Sequence, residues 1–176
     1  MSLAAFQEKS PEVFTAAPGL CRVDLANLAT LKTQADRSPK HRARICAHRN
    51  SDDRLHEMLI VLGRAVYIRP HRHLGKTESF HVIEGAATVV FFDDNGQILE
   101  TVEVGDYASG KPFFFRSDDL RYHTQLVTSD HLMFHETTNG PFRREETVFA
   151  PWAPAEDDAA GIQAFTEELK SRLARR

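Results

Sequence analysis

The sequence contains little cysteine and no long apolar run. Cys21 and Cys46 are its only cysteines, which excludes a disulfide framework and a Cys-x-x-Cys zinc site and suits a reducing compartment. No apolar run approaches the roughly 18 residues of a membrane-spanning helix. The N-terminus also lacks the basic start, apolar core and cleavage site of a secretion signal. We therefore expect a cytoplasmic protein with no membrane partner.

The chain also lacks an excess of positive charge. Lysine and arginine total 22 against 25 aspartate and glutamate residues, and the net charge is −3. This balance provides no overall basic field, so we expect no nucleic-acid partner. At 176 residues, the chain is long enough to bury a self-sufficient core, and it contains no internal repeats.

The sequence divides into three zones, residues 1–40, 41–140 and 141–176. In the first zone, which we interpret as an N-terminal arm, Pro11 predicts a short helical turn and Asp24 predicts the N-cap of a longer helix. The last zone is irregular around its prolines and then predicts an amphipathic helix. Its apolar stripe recurs at helical spacing and consists of Ile162, Phe165, Leu169 and Leu173. We expect both helices to pack on the middle zone.

Short strands are predicted throughout the middle zone. Residues 56–62 and 67–73 have the composition of strands. Residues 86–92 and 97–104 are joined by Asp-Asp-Asn-Gly, a strong hairpin signal because Asn-Gly accepts positive φ. Many short strands closed by turns predict an all-β domain built as a double-sheet jelly roll.

Two histidines, a glutamate and a glycine stand at regular spacing near the centre of the chain. His71 and His73 occupy alternate positions, four residues separate His73 from Glu78, and six separate Glu78 from Gly85. If residues 67–73 form a strand, both imidazoles point to the same face. Two imidazoles on one face are a metal-ligand pair, and Glu78, at the start of the next apolar run, can reach the same ion.

These four residues resemble the first motif of the cupin superfamily, although Ala65 replaces its opening glycine. The resemblance implies a cupin jelly roll, also called a double-stranded β-helix. In this chain the jelly roll would be flanked by an N-terminal helical arm and a C-terminal helix. It also implies one bound divalent metal ion, held by the two histidines, the glutamate and a further histidine from the second motif.

The second cupin motif has a looser counterpart further along the chain. Gly105 and Pro112 suit its turn, and His123 is the best candidate for the fourth ligand. His131 and His135 are its competitors for that position. A ligand on the strand before the last fits a barrel better, which favours His123.

Residues 44–92, which include YIRPHRHLGKTESFHVIEG, show a more specific resemblance. They are similar to the small bacterial cupin-fold metalloproteins of the WbuC type, which recur in gene clusters for O-antigen and other surface polysaccharides. This resemblance implies a metal and a sugar-related setting without supplying a reaction. Cupins commonly pair through sheet edges and swapped arms, so it also implies a homodimer.

Other polar residues of the middle zone are candidates for binding a substrate. Strand parity and the resemblance favour a place in the cavity around the metal for Arg44, His48, Tyr67 and Arg69. The arginines among them would suit an anionic group. Lys76 lies beside the metal motif, where it could also hold an anionic group. His56 and Glu57 are the candidate acid–base residues. The alternative for each residue is a place on the outer face of a sheet or on a solvated turn.

A site of three histidines and one carboxylate accepts divalent Fe, Mn, Ni, Co or Zn. An open coordination position permits Lewis-acid catalysis or activation of water. We expect an enzyme acting on a small polar substrate, sugar-related or anionic, by isomerisation, epimerisation or a related proton transfer. One alternative is a non-heme iron dioxygenase, and the other is a metal-dependent sugar-binding or regulatory protein without catalysis.

Overall fold

The computed structural model describes residues 3–176. It contains two α-helices, α1 (Leu25–Arg37) and α2 (Ala159–Ala174), and short 3₁₀ helices at Tyr107–Ser109 and Arg144–Glu146. The strands in this part of the chain are β1 (Phe6–Ser10), β2 (Val13–Ala16), β3 (Arg42–Cys46), β4 (Leu55–Gly63), β5 (His71–His73), β6 (Glu78–Glu84), β7 (Ala86–Phe92), β8 (Ile98–Gly105), β9 (Phe114–Ser117), β10 (Tyr122–Val127), β11 (His131–Asn139) and β12 (Thr147–Phe149).

The strands form two sheets that enclose a hydrophobic core. The seven-stranded sheet has the order β1-β2-β3-β4-β11-β6-β9, and the five-stranded sheet has the order β12-β5-β10-β7-β8. Apolar side chains from both sheets meet in this core, among them Leu62, Phe80, Val89, Phe91 and Phe134. The structure therefore confirms the predicted double-sheet jelly roll.

Helix α1 covers the outer face of the seven-stranded sheet. It begins at the predicted position, because the side chain of Asp24 accepts a hydrogen bond of 2.9 Å from the backbone N–H of Asn27. Leu31 then packs against Ile45 of β3. Pro11, in contrast, does not open a helical turn. It lies between β1 and β2, which pair as an antiparallel hairpin, because the φ that proline imposes suits turns as well as helix starts.

The C-terminal zone packs on the five-stranded sheet. Strand β12 pairs with β5, and Leu169 of α2 is buried in a cluster with Phe92 and Tyr122. Both flanking zones thus add strands to the sheets beyond residues 41–140. In the described residues, neither helix is long and apolar enough to cross a membrane.

The strand that carries the two motif histidines is shorter than predicted. Strand β5 spans only His71–His73, and residues 67–70 lie outside any strand. Pro70 has no N–H to donate to a neighbouring strand, which explains why the strand starts after it. In the register, His71 lies directly opposite His123 of β10. Because opposed residues share a face, these two imidazoles are neighbours.

Gly85 forms the turn from β6 to β7 with a φ of +86°, and a Cβ at this position would collide with the carbonyl oxygen of His131. We predict that Gly85→Ala lowers the free energy of unfolding by at least about 2 kcal/mol in urea denaturation, since it adds a collision to the unfavourable backbone conformation. Gly75→Ala is the matched control, because Gly75 has a φ of +73° and no atom within 4 Å of the added Cβ. The control should lose only about 1 kcal/mol. Equal losses would contradict the role of the collision.

Candidate metal centre

Three histidines from two neighbouring strands form a cluster inside the barrel. His71 and His73 belong to β5 and His123 to β10, and one ring nitrogen from each lies within 4.8 Å of the others. The ring centroid of His71 is 4.8 Å from that of His73 and 4.6 Å from that of His123. The pairing of β5 with β10 creates this cluster, because it brings the alternate positions of one strand opposite the start of the other.

An oxygen atom lies next to Nδ1 of each ring. Nδ1 of His71 is 2.8 Å from the carbonyl oxygen of Arg69, and Nδ1 of His73 is 3.2 Å from the hydroxyl oxygen of Thr147. His123 makes a longer contact of the same kind, at 3.4 Å, with a backbone carbonyl. Such oxygens can accept the Nδ1 hydrogen of a neutral imidazole, which leaves Nε2 free to bind an ion. The three rings are therefore oriented as metal ligands.

Glu78 places a carboxylate next to two of the three rings. Its Oε1 lies 3.1 Å from Nε2 of His73, and its Oε2 lies 3.6 Å from Nε2 of His123. Burial alone would raise the pKa of Glu78. In the metal-free site, where Nε2 of His123 and His73 can carry a hydrogen instead of binding an ion, hydrogen bonds from these two rings outweigh burial and hold that pKa well below its usual range. Burial, with a smaller electrostatic contribution from His123, lowers the pKa of His71 to about 4. At neutral pH the site thus offers a carboxylate and a neutral imidazole, the forms that bind a divalent ion.

The two competing histidines lie outside the barrel. His131 and His135 are on the outer face of β11, where Nε2 of His131 is 2.7 Å from Asp36 and Nε2 of His135 is 3.7 Å from Glu57. The structure brings His123, rather than either of these residues, to the cluster.

A narrow pocket opens beside the cluster. Its polar side consists of His73, Glu78 and His123 from the centre together with Lys76, Ser117, Asp119 and Gln125, and aromatic rings such as Phe80 contribute to its apolar wall. The enclosed volume is about 10 Å³, which holds roughly one water-sized group. Of the residues predicted to bind substrate, Lys76 alone lines this pocket.

Arg44 and His56 lie on the interior face of the seven-stranded sheet and His48 lies beyond the end of β3, but none of the three lines the pocket. Arg44 is opposite Ile60 in the register, and the rings of His48 and His56 stack with their centroids 4.1 Å apart. Strand parity determines the face of a side chain and not its distance from the site. Glu78 is on β6, which lies three strands from β3 and two strands from β4. At the usual spacing between strands, these separations are about 14 Å for β3 and about 10 Å for β4.

Three further residues predicted for the site make other contacts. Glu57 lies on the outer face of β4 with its side chain 45% exposed, so it cannot act as an acid or base in the pocket. The hydroxyl of Tyr67 donates to the carbonyl oxygen of Pro154 at 2.9 Å, and burial raises the pKa of Tyr67 to about 12. The guanidinium of Arg69 lies 4.9 Å from the ring centroid of Phe149. Tyr67 and Arg69 therefore connect the barrel to the C-terminal zone.

Glu136 is an interior carboxyl group that the motif did not reveal. It extends from β11, opposite Phe80 of β6 and two residues after the buried Phe134. Burial raises the pKa of Glu136 to about 8, and the negative charge of Glu78 adds to the shift. Although the residue is only half-buried by surface area, its carboxyl group faces the interior, where the raised pKa favours the protonated form. Alternation with Phe134 was the one sequence signal that could have identified it.

The fold is shared with known proteins. Residues 23–104, rather less than half of the chain, match DUF6016, a domain of unknown function, and no curated protein matches the sequence. CapF, solved with the inhibitor 3-isopropenyl-tropolone, is similar with a TM-score of 0.51 and 16% identity, over 64% of this chain and 32% of CapF. A protein from Shewanella oneidensis has a TM-score of 0.46 and 16% identity, over 58% of this chain and 66% of that one. A cupin-superfamily protein from Desulfitobacterium hafniense has a TM-score of 0.43 and 11% identity, over 56% and 76%.

At these identities the similarity shows the fold alone, and the chain spans only about a third of CapF. The fold is a cupin jelly roll, as the sequence predicted. The histidine cluster could hold a metal ion. Membership of the WbuC type and a homodimeric state stay predictions.

Proposed function

We propose that the protein is a metal-dependent enzyme acting on a small, polar, sugar-derived anion. One observation carries the proposal. The Nε2 atoms of His73 and His123 meet the carboxylate of Glu78 at the edge of a pocket that also contains the buried Lys76. Polar side chains that line a pocket next to an ion-binding set can contact a substrate. This arrangement therefore suits a catalytic metal ion better than a structural one. The setting in surface-polysaccharide metabolism rests on the resemblance of residues 44–92 to WbuC-type proteins.

A divalent ion held by the three histidines and Glu78 would supply Lewis-acid polarisation of a carbonyl or activation of water. Lys76 would hold the anionic group of the substrate. Glu136 does not itself line the pocket, but it lies on the interior face of β11, two residues from Thr138, which pairs with Glu78. Its raised pKa suits it to give or accept a proton by way of one bridging water. In this role it replaces Glu57, which faces outwards.

Turnover by the metal-loaded protein in D₂O tests the proposal. The protein is loaded in turn with Fe, Mn, Ni, Co and Zn and incubated with sugar nucleotides and sugar acids. NMR then follows new products and the exchange of hydrogen for deuterium next to carbonyl groups. We expect a reaction that a chelator and His73→Ala abolish and that Glu136→Gln slows at least about 100-fold. The absence of products and exchange with every metal would contradict an enzymatic function.

A metal-dependent binding or regulatory protein is the second candidate. One observation favours it: the predicted acid–base residues, His56 and Glu57, do not line the pocket. This candidate predicts that the same compounds bind to the metal-loaded protein without turnover.

A further inference from the structure

Gln125 presents an unpaired amide to the pocket. It follows His123 by two residues on β10, so both side chains lie on the same face, and both line the pocket. Its Oε1 is buried and has no hydrogen-bond partner among residues 3–176. A buried amide without a partner is unfavourable. A hydroxyl group both donates and accepts hydrogen bonds, so it would satisfy this amide in either orientation.

Lys76 presents an unpaired cation to the same pocket. The residue is only 7% exposed, and its Nζ lies 5.0 Å from the ring centroid of Phe142. No carboxylate of the described chain lies within 4.0 Å of this ammonium group. The ammonium nitrogen is not among the buried unpaired atoms of the described chain, so it can meet a ligand from solvent, and its positive charge suits an anionic ligand group.

The two carboxylates that line the pocket already have hydrogen-bonding or ionic partners. Asp119 accepts hydrogen bonds from the backbone N–H of Arg121 at 2.9 Å and from its side-chain Nε at 2.6 Å, while Glu78 contacts two of the cluster histidines. Ser117 accepts a hydrogen bond of 3.1 Å from the backbone N–H of Asp119, which leaves its own hydroxyl hydrogen available to a ligand. The groups open to a ligand are thus one cation, one amide and one hydroxyl.

Resting on the proposed function, we infer that the pocket recognises the hydroxy-carboxylate end of its substrate. The carboxylate lies against Lys76, and the neighbouring hydroxyl groups bind Gln125 and Ser117. The interior of about 10 Å³ admits only one water-sized group, so the ligand lies mainly in the mouth of the pocket and extends one polar group into the interior. The class includes sugar acids such as aldonates, and it excludes neutral sugars and plain fatty acids.

A pair of small acids tests the inference without any assay of turnover. Racemic glycerate has two hydroxyl groups beside its carboxylate, and propionate has none. Their binding to the Zn²⁺-loaded protein is measured by NMR titration. The wild type should bind glycerate at least about tenfold more tightly than propionate, since the amide is left unpaired without a hydroxyl. Equal binding of the two acids, or no binding of either, would overturn the inference.

Variants separate recognition by the protein from chelation of Zn²⁺ by the hydroxy acid. Gln125→Leu should reduce the preference for glycerate about tenfold, whereas chelation is the same in both proteins. Lys76→Met should weaken the binding of both acids by a similar factor, about tenfold or more, and leave the ratio of their affinities unchanged. Gln163 and Lys170 are exposed, so Gln163→Leu and Lys170→Met are matched controls. They should change neither the preference for glycerate nor the affinity for either acid. A full preference retained in Gln125→Leu would refute the role of the amide.

The two proposals fail in different ways. If glycerate binds selectively and no substrate is turned over, the catalytic function is wrong and the recognition of hydroxy acids stands. If the enzyme turns over a neutral sugar and binds propionate as well as glycerate, the function stands and this inference is wrong.

Discussion

Adding a divalent ion to the metal-free protein should raise its melting temperature by roughly 5–10 °C. An ion bound only by the folded barrel stabilises it by mass action, by about 2.7 kcal/mol when its concentration is a hundred times the dissociation constant. One kcal/mol moves the melting temperature of a domain of this size by about 2–4 °C. Thermal unfolding followed by circular dichroism, with each candidate metal and after chelation, measures the effect and ranks the metals.

The variants His71→Ala, His73→Ala and His123→Ala should lose this response to metal and chelator, because each removes one Nε2 from the cluster. The matched control is His81→Ala, which removes an exposed histidine from the outer face of β6, close in sequence to Glu78. It should keep the full response. If all four variants responded like the parent, the ion would bind elsewhere and the assignment of the centre would be wrong.

Replacing Glu136 by glutamine should make the metal-free protein more stable than its parent. The difference in the free energy of unfolding should grow as the pH rises from about 5 to 8. In the folded chain the pKa of Glu136 is raised from 4.5 to about 8. Between these values the folded state holds a proton that the unfolded state has released. Rising pH therefore favours unfolding of the parent, and the stability present below the ordinary pKa is lost as the pH rises through the raised one. Glutamine keeps the shape and does not titrate.

The difference in unfolding free energy should reach roughly 2–4 kcal/mol near pH 8. Burial is the main cause of the raised pKa and Glu78 adds to it, whereas the charges of Arg44 and Lys76 oppose it. Urea denaturation of both proteins at several pH values gives the difference. Glu145→Gln, at an exposed carboxylate, is the control and should run parallel to the parent at every pH. If the curves for Glu136→Gln and the parent were also parallel, Glu136 would not be buried in its neutral form.

Local patterns were sufficient for several parts of the molecule. The cap at Asp24, the stripe on α2 and the hairpin between β7 and β8 depend on neighbours within a few residues, and all three are present. The shared face of His71 and His73 follows from strand alternation in the same way. Even here the length of β5 was overestimated, because Pro70 prevents pairing before it.

Residues that act together within one strand or turn could be recognised from their order in the chain, and so could the jelly-roll class and the histidine pair. The folded molecule was needed to show which distant strands are neighbours. It placed His123 opposite His71, 52 positions away along the chain, and left His131 and His135 on the outer face. It likewise turned Glu57 outwards and Glu136 inwards. The physical reason is that alternation gives the relative faces of residues in a strand, whereas the absolute face and the order of strands depend on pairing between distant segments.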